Sequence, residues 1–201
     1  MRVLVACEFS GVVRDAFRAR GHNAWSCDLL ATERDGPHIF GDVLEVVTWG
    51  WDLMVAHPPC TYLSRAGARW RNDPGREDAA VAAHEFVLAL WNAPIPRIAI
   101  ENPIGSLNQR WRYPDQVVDP SRFGDEYTKR TCFWLKNLPP LMATLVVAGA
   151  PPWIQANYVT RVSRERRPMG VARAPKDRSR TLPGIAAAMA DQWGNELTRA
   201  A

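Results

Sequence analysis

The sequence predicts an α/β domain with a mainly parallel sheet flanked by helices, and two periodicities predict it. Apolar, β-rich runs, each ending in a polar or small residue, occur at Val3–Cys7, Asn23–Cys27, Asp52–Ala56, Arg97–Ile100 and Thr131–Leu135. Between them lie helix-like stretches at Gly11–Arg20, Val43–Val47 and Glu77–Trp91, the last carrying Ala80, Ala83, Val87, Leu90 and Trp91 at steps of three and four. That alternation is the rhythm of βαβ units, whose ligands bind outside the carboxyl ends of the strands. Chemistry is therefore expected in the loops that follow the strands.

The 201 residues fit one domain, with a core over about 1–140 and 183–201 and a loop-rich basic insertion over about 141–182. Pro139-Pro140, Pro151-Pro152, Pro168 and Pro175 punctuate that insertion before Leu182–Trp193 resumes a helical pattern. Hydrophobic residues at 47% and charged residues at 23% describe a chain that buries a core and is neither disordered nor fibrous. The longest apolar stretches, such as Ala79–Leu90, are broken by His84 and Glu85 and fall short of the ~20 residues of a membrane span, so no membrane partner is expected. The run from Met1 to Glu8 is too short for a secretory signal and reads as the first strand, which sets the expectation of a cytoplasmic location. Cysteines at 7, 27, 60 and 132 show no CxxC spacing and histidines at 22, 38, 57 and 84 no HxxxH pair, so no metal is expected. Oligomeric state is open.

The first strand runs into Cys7-Glu8-Phe9-Ser10-Gly11, a turn that opens a helix whose free N–H groups favour an anionic ligand end. The second ends at Asp28, either a ribose acceptor or a solvated turn acid. Gly41-Asp42-Val43 puts another acid at this edge, either an acceptor for an adenine amine or an N-cap. Next, an apolar strand leads into His57-Pro58-Pro59-Cys60, where two prolines stiffen the loop and aim a thiol. Cys60 is a small buried hydrophobe or a thiolate whose pKa His57 and Arg65 lower. In Ile98-Ala99-Ile100-Glu101-Asn102-Pro103 a carboxylate ends an apolar run; desolvation there is expected to raise its pKa and let it hold a proton, unless it caps a helix or pairs with an arginine.

Positive charge is concentrated rather than spread. Arg161, Arg164, Arg166, Arg167, Arg173, Lys176, Arg178 and Arg180 against Glu165 and Asp177 give residues 161–180 a local charge of 8 − 2 = +6, leaving 4 − 6 = −2 elsewhere. These side chains either grip phosphates without reading bases or form a solvated loop. Trp153 and Tyr158 beside them stack on unpaired bases or build the insertion's own small core.

Taken in order, Phe-Ser-Gly, Asp28, Gly-Asp-Val, Pro59-Cys60 and Glu101-Asn102 resemble the cytosine-C5 DNA methyltransferase family, over residues 1 to about 135 and again at a Gly184-containing helix. The run is more similar still to compact cytosine methyltransferases common in bacteriophage genomes. The resemblance implies a Rossmann-like class I S-adenosylmethionine-dependent sheet, with the small insertion in place of a full target-recognition domain. It implies S-adenosylmethionine lying over Glu8, Phe9, Ser10 and Gly11, with Phe9 against adenine, Asp28 on ribose, Asp42 near the adenine amine, and Val43 and Pro58 alongside. Cys60 would be the nucleophile, Glu101 the group on the ring N3 and exocyclic amine, Asn102 the holder of the loop, and Arg130 an orienter of the base. DNA, as a duplex with a flipped base or single-stranded, is the implied partner.

Several positions depart from the family pattern. Val13 stands near the second glycine of the first turn, and Lys129-Arg130-Thr131-Cys132 puts Cys132 where a second arginine falls. The double proline resembles amino-methyltransferases, but a thiol replaces their aromatic residue, which favours carbon methylation. Besides C5-methylation of DNA, a free pyrimidine nucleotide as substrate and a catalytically silent nucleic-acid-binding protein remain open.

Overall fold

The computed structural model describes residues 1–64, 73–153, 156–159, 166–169 and 179–195, with 156–159 and 166–169 described by their backbone. In chain order the elements are β1 (Arg2–Ala6), α1 (Val12–Arg18), β2 (Asn23–Asp28), β3 (His38–Phe40), β4 (Leu53–Ala56), α2 (Arg76–Trp91), β5 (Arg97–Pro103), α3 (Leu107–Arg110), β6 (Gln116–Val118), β7 (Thr131–Lys136), β8 (Ala156–Val159), β9 (Arg166–Met169) and α4 (Pro183–Gly194). Short 3-10 turns lie at Val43–Glu45 and Pro120–Arg122.

Seven strands form one sheet in the order β3-β2-β1-β4-β5-β7-β6. The first five are parallel, and β7 runs antiparallel between β5 and β6. Crossover order, covered faces and the reversed β7 together make this the class I S-adenosylmethionine-dependent methyltransferase sheet.

Both faces of the sheet are covered, which is why its central strands read as unbroken apolar runs rather than alternating ones. Along β1, Val3 and Val5 face one layer and Leu4 and Ala6 the other, all fully buried. On the first face Val13 and Phe17 of α1 pack with Ile185, Met189 and Trp193 of α4. On the second, Val87 and Leu90 of α2 join Val43 and Trp51 over Met54, Ile98 and Ile100. Each such side chain taken from water contributes about 1.5–3 kcal/mol.

The start of α4 is fixed by a residue 59 positions earlier: the Asp125 carboxylate accepts from the Gly184 amide at 2.7 Å and from that of Ile185 at 3.0 Å. Pro183 at the first position is pre-set for a helix. Glycine is required next, because a Cβ at 184 would lie 2.3 Å from the Phe123 carbonyl oxygen. The Arg20 guanidinium pairs with Asp191 and ties α1 to α4.

The short strands differ from the sequence expectation. β3 and β6, three residues each, carry too little pattern to be seen, and they exist through pairing with longer neighbours. The helix expected at Val43–Val47 is the single 3-10 turn, and the 141–182 segment includes a β8–β9 hairpin. Most consequential, β5 runs three residues past Ile100, since β7 pairs alongside it as far as Pro103↔Thr131. Glu101 and Asn102 therefore sit in a ladder, not in a turn. Among the described residues no helix is long and apolar enough to cross a membrane.

Candidate active site

Parallel pairing of β4 with β5, in the register Ala56↔Ile100, brings the His57–Cys60 loop and the Glu101–Asn102 pair to the same carboxyl edge. Asn102 is buried and its Nδ2 donates to the Pro58 carbonyl at 2.8 Å, so the loop ahead of Cys60 is fastened to β5. Beyond Cys60 its carbonyl accepts from the Leu63 and Ser64 amides at 3.1 and 2.9 Å, closing a tight turn. That turn is clamped on the next loop, where Ser106 N donates to the Leu63 carbonyl at 2.7 Å. A Cβ at Gly105 would lie 1.9 Å from the same oxygen, so only glycine fits there. Cys60 itself is half-buried; Arg65, expected to act on its thiol, lies outside the described residues.

Glu101 departs most from expectation. His57 Nδ1 lies 3.2 Å from its Oε2, and the Thr131 hydroxyl donates to its Oε1. Burial pushes the carboxyl up, but the His57 hydrogen bond, the Lys129 and His57 charges and the Thr131 hydroxyl together outweigh it, leaving the pKa at about 2. The expected proton-holding acid is instead a carboxylate at neutral pH.

Two clefts open at this edge. One, of about 250 Å³, is lined by Glu101, Lys129, Thr131 and Phe133 with Thr181 and Leu182. The other, of about 300 Å³, lies at the mouths of β1 and β4, lined by Cys7, Glu8, Phe9, Ser10 and His57 with Ser179, Arg180 and Thr181. Thr181 borders both, and the hydrogen-bonded His57 and Glu101 lie one in each. Cys60 lines neither cleft, so the expected single cavity shared by Cys60 and Glu101 is not one of these two.

At β1 the expectation of open helix amides is corrected. The buried Glu8 carboxylate accepts from Val13 N at 2.7 Å, Arg14 N at 3.2 Å and the Ser10 hydroxyl at 3.2 Å, filling the end of α1 with the protein's own anion. Burial pushes the Glu8 carboxyl above its usual range despite these bonds and the nearby His57. Gly11 occupies the left-handed N-cap position and Phe9 is buried. Asp28, at the end of β2, accepts from Leu30 N at 2.9 Å, and burial raises its carboxyl. Asp42 caps the 3-10 turn through Leu44 N at 2.9 Å and is exposed, while Val43 belongs to the core.

Arg130 is exposed and lines neither cleft. Lys129, just ahead of β7, lines the Glu101 cleft with Thr131 and Phe133 of that strand, whereas Arg130 between them does not. Lys129 Nζ also donates to the Arg180 carbonyl at 2.8 Å. Arg180, expected on phosphate, lines the β1 cleft and its guanidinium donates to Glu33 at 2.8 Å. The loop that carries Glu33 is held by Arg14, a fully buried arginine bonded at 3.2 Å to Ser26, Thr32 and the carbonyls of Arg34 and Asp35. Nothing in the local sequence distinguishes Arg14 from a solvated helix residue. Arg166 and Arg167 lie in β9; Arg161, Arg164, Arg173, Lys176 and Arg178 lie outside the described residues. Trp153 packs on Tyr127 with ring centroids 5.1 Å apart, as part of the core rather than as a base platform. Among the described residues no cluster of three or more His, Cys, Asp or Glu could hold a metal ion.

No family model and no curated protein matches the chain. A solved structure from E. coli, described as a candidate DNA modification methyltransferase encoded within a prophage, is similar at 16% identity and a TM-score of 0.46, over 79% of this chain. The chain spans 57% of that protein's length. The sheet itself is consistent with a methyltransferase-type enzyme that binds S-adenosylmethionine. The residues at its edge fit the nucleoside end of such a donor: Asp28 and Asp42, which do not line the β1 cleft but whose charges act on Cys7 in it, suit hydroxyl and amine donors, and buried Phe9 offers an apolar wall.

Proposed function

We propose that the chain methylates C5 of cytosine in DNA with S-adenosylmethionine, Cys60 being the nucleophile. The observation that carries this reading is the Asn102–Pro58 hydrogen bond, which fastens the cysteine loop to the strand bearing Glu101. Asp28, Asp42 and the residues from Glu8 to Gly11 would hold the donor, which when bound supplies an electrophilic methyl carbon.

Cys60 is needed because C5 of cytosine is too electron-poor to accept that carbon directly, whereas sulfur bonding to C6 gives C5 enamine character. Glu101, as a carboxylate with lone pairs beyond those used by His57 and Thr131, would accept from the exocyclic amine and so orient the ring for attack. The His57 hydrogen bond, with the Lys129 charge and the Thr131 hydroxyl, keeps that carboxylate ionised against burial. A target base inside a duplex must be extruded first, and Arg166 and Arg167 with the other basic residues of 161–180 would hold the phosphates without reading sequence.

Trapping tests the reading directly. A duplex carrying 5-fluorocytosine, incubated with the protein and S-adenosylmethionine, should give an adduct stable to denaturing electrophoresis, which Cys60→Ser abolishes. An adduct that survives Cys60→Ser refutes the nucleophile. Label from tritiated donor appearing on dCMP but not on DNA would transfer the chemistry to a free nucleotide.

A further inference from the structure

We propose that His57 is the base that removes the C5 proton in this reaction, an inference resting on the Cys60 reading above. His57 occupies the position before the double proline, and its ring is held by Glu101 through Nδ1 at 3.2 Å. Glu101 accepts from Nδ1–H, which leaves Nε2 as the ring nitrogen available to a reacting proton. Nε2, on the far side of the ring from that bond, is buried and has no hydrogen-bond partner among the described residues, on a side chain only 8% exposed. A buried ring nitrogen left unpaired costs stability, and groups kept at such a cost point to a use.

Among the described residues lining the β1 cleft, His57 is the side chain suited to that role. His57 lines the β1 cleft, which the donor would occupy, while its partner lines the Glu101 cleft, so the bonded pair links the two. Of the other titratable side chains lining the β1 cleft, Glu8 spends both oxygens on the amides of α1. Burial keeps the Cys7 thiol protonated, and the guanidinium of Arg180 accepts no proton.

With Cys60 sulfur bonded to C6 and a methyl group on C5, C5 still bears its hydrogen. His57 Nε2 takes that hydrogen as a proton, the C–H electron pair becomes the C5=C6 double bond, and the C6–S pair returns to Cys60 as thiolate. The proton then passes from Nε2 to water. The same base serves when no methyl donor is present: C5 of the Cys60 adduct takes a proton from solvent, and His57 removes either it or the original hydrogen.

That donor-free exchange separates the two claims. The full chain and His57→Asn, whose amide can still donate to Glu101, are given a duplex with [5-³H]cytosine without donor, and a 5-fluorocytosine duplex with S-adenosylmethionine. Fluorine cannot leave as a cation, so the second adduct forms whether or not a base is present. We expect His57→Asn to trap 5-fluorocytosine as the unchanged chain does, yet to release tritium about 10²-fold more slowly. Tritium release within a few-fold of the unchanged chain overturns the base role and leaves the nucleophile standing. Loss of trapping in His57→Asn also overturns it, by making His57 a positioning residue for Cys60. Absence of a Cys60-dependent adduct in the unchanged chain removes both claims.

Discussion

Two buried glutamates stand at one sheet edge, and their environments drive them in opposite directions. Around Glu8, after β1, burial prevails over the nearby His57 charge, two backbone amides and a hydroxyl: its carboxyl is pushed up. Glu101, in β5, is also largely buried but faces His57, Lys129 and Thr131, and it is held at about 2. Burial alone sets neither charge. What separates them is direct contact: His57 acts on Glu8 only through its charge, whereas it is hydrogen-bonded to Glu101, which Lys129 also faces, and a charge-assisted hydrogen bond favours the ionised form most. The first glutamate is a structural cap. The second keeps a permanent negative charge next to a histidine, and such a pair can move protons.

The sharpest way to break the contrast is Glu101→Gln. It removes the charge and leaves His57 Nδ1 facing an amide; methyl transfer should fall ~10²–10³-fold while donor binding, measured calorimetrically, stays nearly intact. If donor binding collapses instead, Glu101 is structural like Glu8. Stability should follow pH accordingly. The folded pKa of Glu101 is depressed from 4.5 to about 2, so its contribution is complete above about 4.5 and is lost as pH falls through about 2. Protonation withdraws about 3 kcal/mol, so urea melts of the unchanged chain and Glu101→Gln should converge as pH falls through that window. Glu8 has the opposite sign. A raised folded pKa makes its contribution largest when it is protonated, below its unfolded value, and lost as pH rises through the folded pKa.

Much of this edge was legible in the sequence, and the remainder was hidden for a physical reason. β1, β2, β4, β5 and β7 show as apolar runs because helices cover both faces, whereas β3 and β6 are too short to show pattern and depend on their neighbours. Cys60, Glu101 and Asn102 are conspicuous because each follows such a run. The charge state of Glu101 was not legible: it depends on His57, 44 residues earlier, and on Thr131, 30 residues later, which only the folded sheet brings together. The basic segment is a further contrast. Its charge was plain, yet Arg180 is spent on Glu33 beside the β1 cleft, a pairing 147 residues apart that composition cannot reveal.

A smaller effect is expected on the structural side of the comparison. Glu8→Ala leaves the first amides of α1 without their acceptor and should lower stability at pH 7 by about 1–2 kcal/mol in urea denaturation. Because Arg14 is also held by Ser26 and Thr32, the 32–36 loop should keep its place. Loss of more than about twice that stability would mean that Glu8 supports the cleft itself and not merely the helix.

The smallest change sharpens the contrast most, because it tests why the two glutamates differ. Lys129 and Arg130 are adjacent cations, but only Lys129 lines the cleft and acts on Glu101. Lys129→Ala should therefore move the Glu101 carboxyl upward, toward the behaviour of Glu8, as read from a ¹³C-carboxyl NMR titration. Arg130→Ala, which touches a residue that does not line the cleft, should leave that titration in place. Since His57 still donates to Oε2, Lys129→Ala should not restore a proton to Glu101 at neutral pH. Equal shifts from both variants would mean that distant charge, not a place in the cleft, sets the carboxylate; no shift from either would assign its ionisation to His57 and Thr131 alone.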